Sequence, residues 1–104
     1  MAFLMDGAGV IMAVGDKVSK KRVGERVWVY NGQWERPMGT AAEYIVLPSD
    51  HAVHLHDNVG FIESACLGVP ACTAYHCVAS GGDLRWQQVL VQGGAGAVGG
   101  MPYR

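Results

Sequence analysis

Gln88-Val-Leu-Val-Gln-Gly-Gly-Ala-Gly-Ala-Val-Gly-Gly100 joins an apolar run, residues 88–91, directly to a glycine-rich turn. Gly94, Gly96 and Gly99 match the pattern G-x-G-x-x-G, in which glycines permit a tight strand-to-helix turn and a close backbone approach to a pyrophosphate. No lysine follows the turn, so the pattern of a P-loop is not met. Because the chain has 15 glycines, the residues alone leave two interpretations open, a nucleotide site and a plain glycine-rich turn.

The sequence upstream of this turn predicts short strands followed by short helices. Apolar and β-branched runs bounded by turn residues predict strands over 8–14, 26–30, 41–47 and 52–55. The spacing further along predicts helices over 61–67 and about 71–79, with Gly60 as the first N-cap. In the second helix, Ala71, Ala74, Tyr75 and Val78 share one face, and Tyr44 is expected to pack in its strand.

Length, charge and cysteine content exclude several classes of protein. A chain of 104 residues, 50% apolar and 16% charged, has the composition of at most one folded domain. A net charge of −1 argues against nucleic acid and anionic membranes as partners. The sequence has no recognisable export signal, and its three cysteines lie among apolar residues, which favours a cytoplasmic protein with buried thiols.

Several segments together resemble one enzyme family in the order in which they occur. The matching segments are Gly7–Ile11, Ala13–Gly15, Val23–Val27, Gly39–Tyr44, Ala65–Ala74 and Val89–Gly99. The chain resembles the medium-chain dehydrogenase/reductase superfamily, and within it the NADPH:quinone oxidoreductases of the zeta-crystallin-like branch. This resemblance implies an α+β fold. It comprises a partial GroES-like β-barrel portion over 1–59, two short connecting helices over 60–86, and the first strand of a Rossmann-type dinucleotide-binding domain over 87–104.

The resemblance also implies a cofactor and a reaction. The family transfers hydride from NADPH to a quinone or a similar conjugated carbonyl, and no general acid or nucleophile is identified here. The residues implied to bind the cofactor are Gly94, Ala95, Gly96, Ala97, Val98 and Gly99, together with Thr73 beside the nicotinamide. For Thr73, packing within its helix is the alternative role.

A metal site is not expected from the residues present. In the zinc-dependent relatives a Gly-His-Glu tripeptide precedes the Gly-Ala-Gly run, and this sequence has Leu4-Met5-Asp6 there. Val69 occupies the position of a second zinc ligand, a cysteine in those relatives. His54 and His56 share one strand face but lack a third ligand, whereas a structural zinc requires about four.

The extent of the resemblance predicts a chain that is truncated at both ends and inactive by itself. After Gly99 the family pattern requires a long helix and a second strand, but the sequence continues only to Arg104, with Pro102 expected in the first turn. Two alternatives stay open: a non-catalytic fragment that serves as an interaction or oligomerisation module, and an enoyl or enone reductase of the same superfamily. Exposed strand edges favour self-association into a homo-oligomer.

Overall fold

A computed structural model describes residues 4–101 of the chain, and Pro102 therefore lies outside the described residues. Three strands precede two α-helices in the sequence. They are β1 (Gly7–Val10), β2 (Arg26–Val29), β3 (Ala52–His54), α1 (Phe61–Ser64) and α2 (Cys72–Ala79). Two 3₁₀ turns, Lys20–Arg22 and Ser49–His51, precede β2 and β3, and a π-helical turn, Leu67–Ala71, leads into α2.

The strands form an antiparallel sheet in the order β1-β2-β3. Val27 on β2 lies opposite Gly9 on β1 and His54 on β3. Val27, Val29 and Leu55 are buried, and the Leu55 amide continues the pairing by donating to the Arg26 carbonyl at 2.8 Å. The alternation of buried valines with more exposed residues on β2 is that of a strand with one covered face.

Two arginines tie the sheet to its surroundings. Arg22 donates through Nε to the Glu25 carboxylate at 2.6 Å, through Nη1 to the Ser49 hydroxyl at 2.6 Å and through Nη2 to the Ala52 carbonyl at 2.6 Å. The rigid fork of five N–H donors explains how one side chain can join the first 3₁₀ turn to the start of β3. Arg26 donates to the Val59 carbonyl at 2.7 Å, and its guanidinium lies over the Phe61 ring at the start of α1, 4.5 Å from the ring centroid.

The predicted strand over 41–47 is absent, and the strand predicted over 8–14 ends at Val10. The segment 42–47 lies over the covered face of the sheet, where it shares a cavity wall with Val27 and Val29. It is not a pairing partner of any strand in residues 4–101, and Tyr44 is exposed instead of packed. A high strand propensity means that the side chains suit a half-buried sheet. Such a segment becomes a strand only where another strand supplies hydrogen bonds to its backbone.

The predicted strand over 88–91 is also absent, so the described residues contain no first strand of a Rossmann-type unit. Val89 and Leu90 are exposed, with Leu90 at 95%. A strand of this apolar kind requires parallel neighbours that cover both faces, and the described sheet is antiparallel and ends with β3.

The helices partly follow the predictions. Helix α2 lies within the predicted range and is followed by Gly82, which has a left-handed φ of +76°, as is common after a helix end. The helix predicted over 61–67 is α-helical only to Ser64. The prediction of buried thiols is wrong, because all three cysteines are exposed. Of the predicted apolar face of α2, Ala74 is buried and Tyr75 is exposed.

Candidate cofactor site

The glycine-rich segment 92–100 folds as successive turns. Gly93 has φ of +76°, a left-handed conformation that glycine adopts without steric cost. The Gly96 amide donates to the Gly93 carbonyl at 2.9 Å, and the Gly100 amide donates to the Gly96 carbonyl at 2.9 Å. A Cβ on Gly99 would lie 2.8 Å from the Gly93 carbonyl carbon. The third glycine of the pattern is therefore required for the close approach of two backbone segments within the loop itself.

This loop forms most of the wall of a cavity of about 410 Å³. The lining residues are Cys66, Gly94, Ala95, Gly96, Ala97, Gly100 and Met101. Four of the predicted cofactor residues, 94–97, therefore face one space. Val98 and Gly99 are partly buried in the same loop but do not line the cavity.

Thr73 is not brought to this cavity. It lies on the first turn of α2, is exposed, and is absent from the cavity wall. Cys66, by contrast, lines the cavity, although the sequence predicted only that its thiol would be buried. Its sulfur lies 3.9 Å from the Ile62 carbonyl, within its own helical segment. No local pattern marks Cys66, because its proximity to the loop joins residues about thirty positions apart.

The chemistry that the loop offers is that of its backbone. Residues 92–100 contain no charged side chain, so an anion would meet amide groups and the small side chains that leave them accessible. The amides of Gly96 and Gly100 are already donated within the loop. These two amides could bind an anion only if their internal hydrogen bonds were replaced by hydrogen bonds to a phosphate.

A second cavity, of about 640 Å³, lies between the covered face of the sheet and the segment 42–47. Its wall includes the apolar side chains of Val27, Val29 and Ile45. Two polar side chains in the wall are already engaged within the protein, since Arg22 bonds to Ser49 and Ala52 and the Thr40 hydroxyl donates to the Asp6 carbonyl. Glu43 also lines the wall, but the rest of the lining is mainly apolar, with few of the convergent polar groups that a ligand site needs.

Several titratable side chains outside the loop form ion pairs and ring contacts. Arg22, and to a smaller extent His54, hold the pKa of Glu25 below its ordinary value. His54 Nδ1 lies 3.2 Å from that carboxylate, and its ring meets the His56 ring edge to face. Within residues 4–101, no group of three or more histidine, cysteine, aspartate or glutamate side chains is arranged to hold a metal ion. No helix in the same residues combines the length and apolar character needed to cross a membrane.

Comparison with known families and proteins agrees with the sequence resemblance. Residues 1–57 match the family described as the alcohol dehydrogenase GroES-like domain. A protein of Rattus norvegicus named synaptic vesicle membrane protein VAT-1 homolog is 39% identical over 98 residues, which are 91% of this chain and 22% of that protein. The human quinone oxidoreductase is 39% identical over 101 residues, which are 90% of this chain and 28% of that enzyme.

A solved structure shows the same likeness in three dimensions. The quinone oxidoreductase of Pseudomonas syringae pv. Tomato DC3000 superposes with a TM-score of 0.69 and 34% sequence identity, over 91% of this chain and 28% of that one. The chain thus spans about a quarter of the length of these relatives. The likeness extends past the residues of the GroES-like match, into the helices and the region of the glycine-rich loop.

Proposed function

The chain belongs to the alcohol dehydrogenase GroES-like domain family, and from this premise we propose that it is part of an NADPH-dependent quinone oxidoreductase. The reaction is hydride transfer from NADPH to a quinone or another conjugated carbonyl. The observation that supports this most directly is the glycine-rich loop, which lines a cavity with residues 94–97. The similarity to quinone oxidoreductases over nine-tenths of the chain supports the choice of substrate class.

The small side chains of the loop would let its backbone come close to the pyrophosphate of a dinucleotide. Gly94, Gly96 and Gly99 carry no side chain that would keep a phosphate from the amides, and Ala95 and Ala97 add only methyl groups. Val98 supports the loop from its partly buried position. Bound NADPH would supply the hydride. The protein's part is to hold the nicotinamide against the acceptor and to exclude water.

Thr73 is the proposed neighbour of the nicotinamide. A threonine hydroxyl can donate or accept a hydrogen bond, and the exposed position on the first turn of α2 leaves it available to a ligand. We propose that the reaction needs no zinc, because Met5 and Val69 stand where zinc-dependent relatives have a histidine and a cysteine. The three exposed free thiols support a reducing, cytoplasmic location.

A second candidate function, a non-catalytic interaction module, is favoured by a different observation. The amides of Gly96 and Gly100 already donate within the loop, so these two amides have partners without a ligand. The outer edge of β1 lacks a strand partner among the described residues, and such edges pair readily with another chain. On this alternative the chain self-associates and does not bind NADPH.

Titration of the purified chain with NADPH, followed by cofactor fluorescence, separates the two functions. We expect saturable binding with a Kd of about 1–10 µM, equivalent to about 7–8 kcal/mol. Gly99→Val should weaken binding at least about tenfold, because the added side chain cannot fit beside the Gly93 carbonyl. Gly15→Ala is the matched control, since a Cβ there meets no atom within 4 Å.

Each outcome of the titration decides between the candidates. Saturable binding that Gly99→Val weakens and Gly15→Ala preserves supports the cofactor site. No saturable change with the wild-type chain overturns it. In that case a molecular mass above that of the monomer, measured by light scattering, would establish the interaction module.

A further inference from the structure

Asp6, directly before β1, is bonded through both its main chain and its side chain. Carboxylate Oδ1 accepts the Val69 amide at 2.5 Å, and the Asp6 carbonyl accepts the Thr40 hydroxyl. Val69 is 63 positions away in the sequence. Asp6 thus joins three parts of the molecule that the chain brings together only in the fold: the start of β1, the loop that ends at Thr40, and the π-helical turn.

Gly68 is the residue that lets the carboxylate reach this amide. It is buried, and a Cβ there would lie 2.7 Å from the Val29 carbonyl oxygen and closer still to the Asp6 carboxylate. Its φ of −62° and ψ of −116° are not helical, so the chain kinks at this residue. The kink and the missing side chain together bring the turn against the sheet at the point where Asp6 can bind it.

The π-helical turn determines where α2 begins. Val69 precedes the first residue of α2, Cys72, by three positions, and Thr73 follows in the first helical turn. Because a helix is rigid over its hydrogen-bonded turns, an anchor on Val69 sets the position of the helix start. On the other side of the turn, Cys66 lines the cavity of the glycine-rich loop. The anchored segment therefore carries Thr73, and it adjoins the part of the cavity wall that Cys66 forms.

We propose that Asp6 is a positioning residue for the cofactor site, holding the 67–71 turn and, through it, Thr73. This inference rests on the proposed function in so far as Thr73 is taken to contact the cofactor. Asp6 does not line the loop cavity, and one of its carboxylate oxygens is occupied by the Val69 amide. Its effect on the site is therefore transmitted through the backbone of the turn.

The test compares Asp6→Ala with Asp6→Asn in the full chain, with Asp16→Ala as a control at an exposed aspartate. An asparagine keeps an oxygen that can accept the Val69 amide, whereas alanine removes it. In Asp6→Ala we expect hydrogen exchange of the Val69 amide to accelerate about tenfold or more, as for loss of a hydrogen bond to a charged group. The Thr73 methyl resonance should shift in the same variant. Asp6→Asn and Asp16→Ala should leave both close to wild type.

Two results would overturn the proposal. One is an unchanged Val69 exchange rate in Asp6→Ala, and the other is an Asn variant that behaves like the Ala variant. Should Asp6→Ala fail to fold, the wild-type spectrum still decides. A carboxylate acceptor at this distance should move the Val69 amide proton downfield, and an ordinary amide shift would count against the anchor.

NADPH affinity separates this proposal from the proposed function. If the wild-type chain binds NADPH, Asp6→Ala should raise the Kd by about three- to tenfold and Asp6→Asn should restore it. Unchanged affinity in Asp6→Ala, alongside faster Val69 exchange, would show that the anchor does not serve the cofactor site. If the wild-type chain does not bind NADPH, the proposed function fails, while exchange and the Thr73 resonance still test the anchor itself.

Discussion

The sheet and the glycine-rich region contain similar apolar runs, but only the sheet buries its run. Leu55, just after β3, is 3% exposed, whereas Leu90 in the predicted strand before the glycine loop is 95% exposed. The difference lies in the neighbours. Leu55 follows a strand that pairs with β2, and its own amide is bonded to the Arg26 carbonyl. An apolar run becomes a buried strand only where another segment satisfies its backbone and covers its side chains.

The charged groups of the sheet differ in the same way from those of the segment between α2 and the glycine-rich loop. Arg22 bonds to Ser49 and Ala52, which are 27 and 30 positions away, as well as to nearby Glu25. Arg85 pairs only locally with Asp83, and both side chains are exposed. Arg85 holds the pKa of Asp83 below its ordinary value, but solvent screens such a pair and it adds little stability. Long-range bonds, more than charge pairing itself, distinguish the folded sheet.

The largest expected effect comes from removing the same side chain in both regions. Leu55→Ala should lower the free energy of unfolding by about 2–4 kcal/mol, because it deletes buried methyl groups and leaves a cavity. Leu90→Ala should change it by less than about 0.5 kcal/mol, as expected at an exposed position. Urea denaturation followed by tryptophan fluorescence measures both. Equal losses in the two variants would show that the 88–91 segment is packed in solution.

A smaller effect is expected from the two arginines. Arg22→Ala should lower the free energy of unfolding by about 1.5–3 kcal/mol, because the Ser49 and Ala52 acceptors lose a charged donor in a partly buried position. Arg85→Ala should leave the denaturation midpoint unchanged, since its pair with Asp83 is solvent-exposed. A loss in Arg85→Ala as large as that in Arg22→Ala would contradict the distinction between long-range and local bonds.

The smallest expected effect concerns pH. Arg22 first, and then His54, hold the pKa of Glu25 below its ordinary value of 4.5. A carboxyl with a lowered folded-state pKa stabilises the protein above the unfolded value, and this contribution is lost as the pH falls below 4.5. Compared with Glu25→Gln, the wild type should therefore lose up to about 1 kcal/mol over that acidic range.

Denaturation midpoints of both proteins, measured at several pH values from neutral to acidic, check this prediction. Asp83→Asn serves as the comparison in the segment between α2 and the glycine-rich loop. Its difference from wild type should be negligible and should disappear in high salt, because that ion pair is exposed. If the Glu25→Gln variant has the same pH dependence as wild type, the ion pair of Glu25 does not contribute to the stability of the sheet.

Sequence reasoning predicted the elements whose signals are local. Strands β2 and β3 lie within predicted ranges, and α2 ends at the predicted residue, Ala79. Each is bounded by turn residues, such as Asn31 after β2, which has a left-handed φ of +53°. The strands predicted over 41–47 and 88–91 are not formed, although propensity favoured both and the family resemblance implied the second. Whether such a segment is a strand depends on a partner that the segment itself does not specify.

The residues of the candidate site likewise differ in how far the sequence predicted them. Residues 94–97 were predicted as a group, and the structure places them around one cavity. Cys66 and Met101 also line this cavity, although no sequence pattern predicted that they would. The role of residues 94–99 and of Thr73 toward a cofactor stays a prediction.

The sequence by itself determined the family resemblance, the turns, and the glycines of the loop, because these depend on residues close to one another along the chain. Only the tertiary structure decided which apolar runs were covered, that the thiols faced outward, and that Asp6 reached the Val69 amide. The physical reason is that burial and hydrogen bonding are properties of pairs of segments. A backbone amide 63 positions away becomes a partner for Asp6 only when the fold brings it within bonding distance.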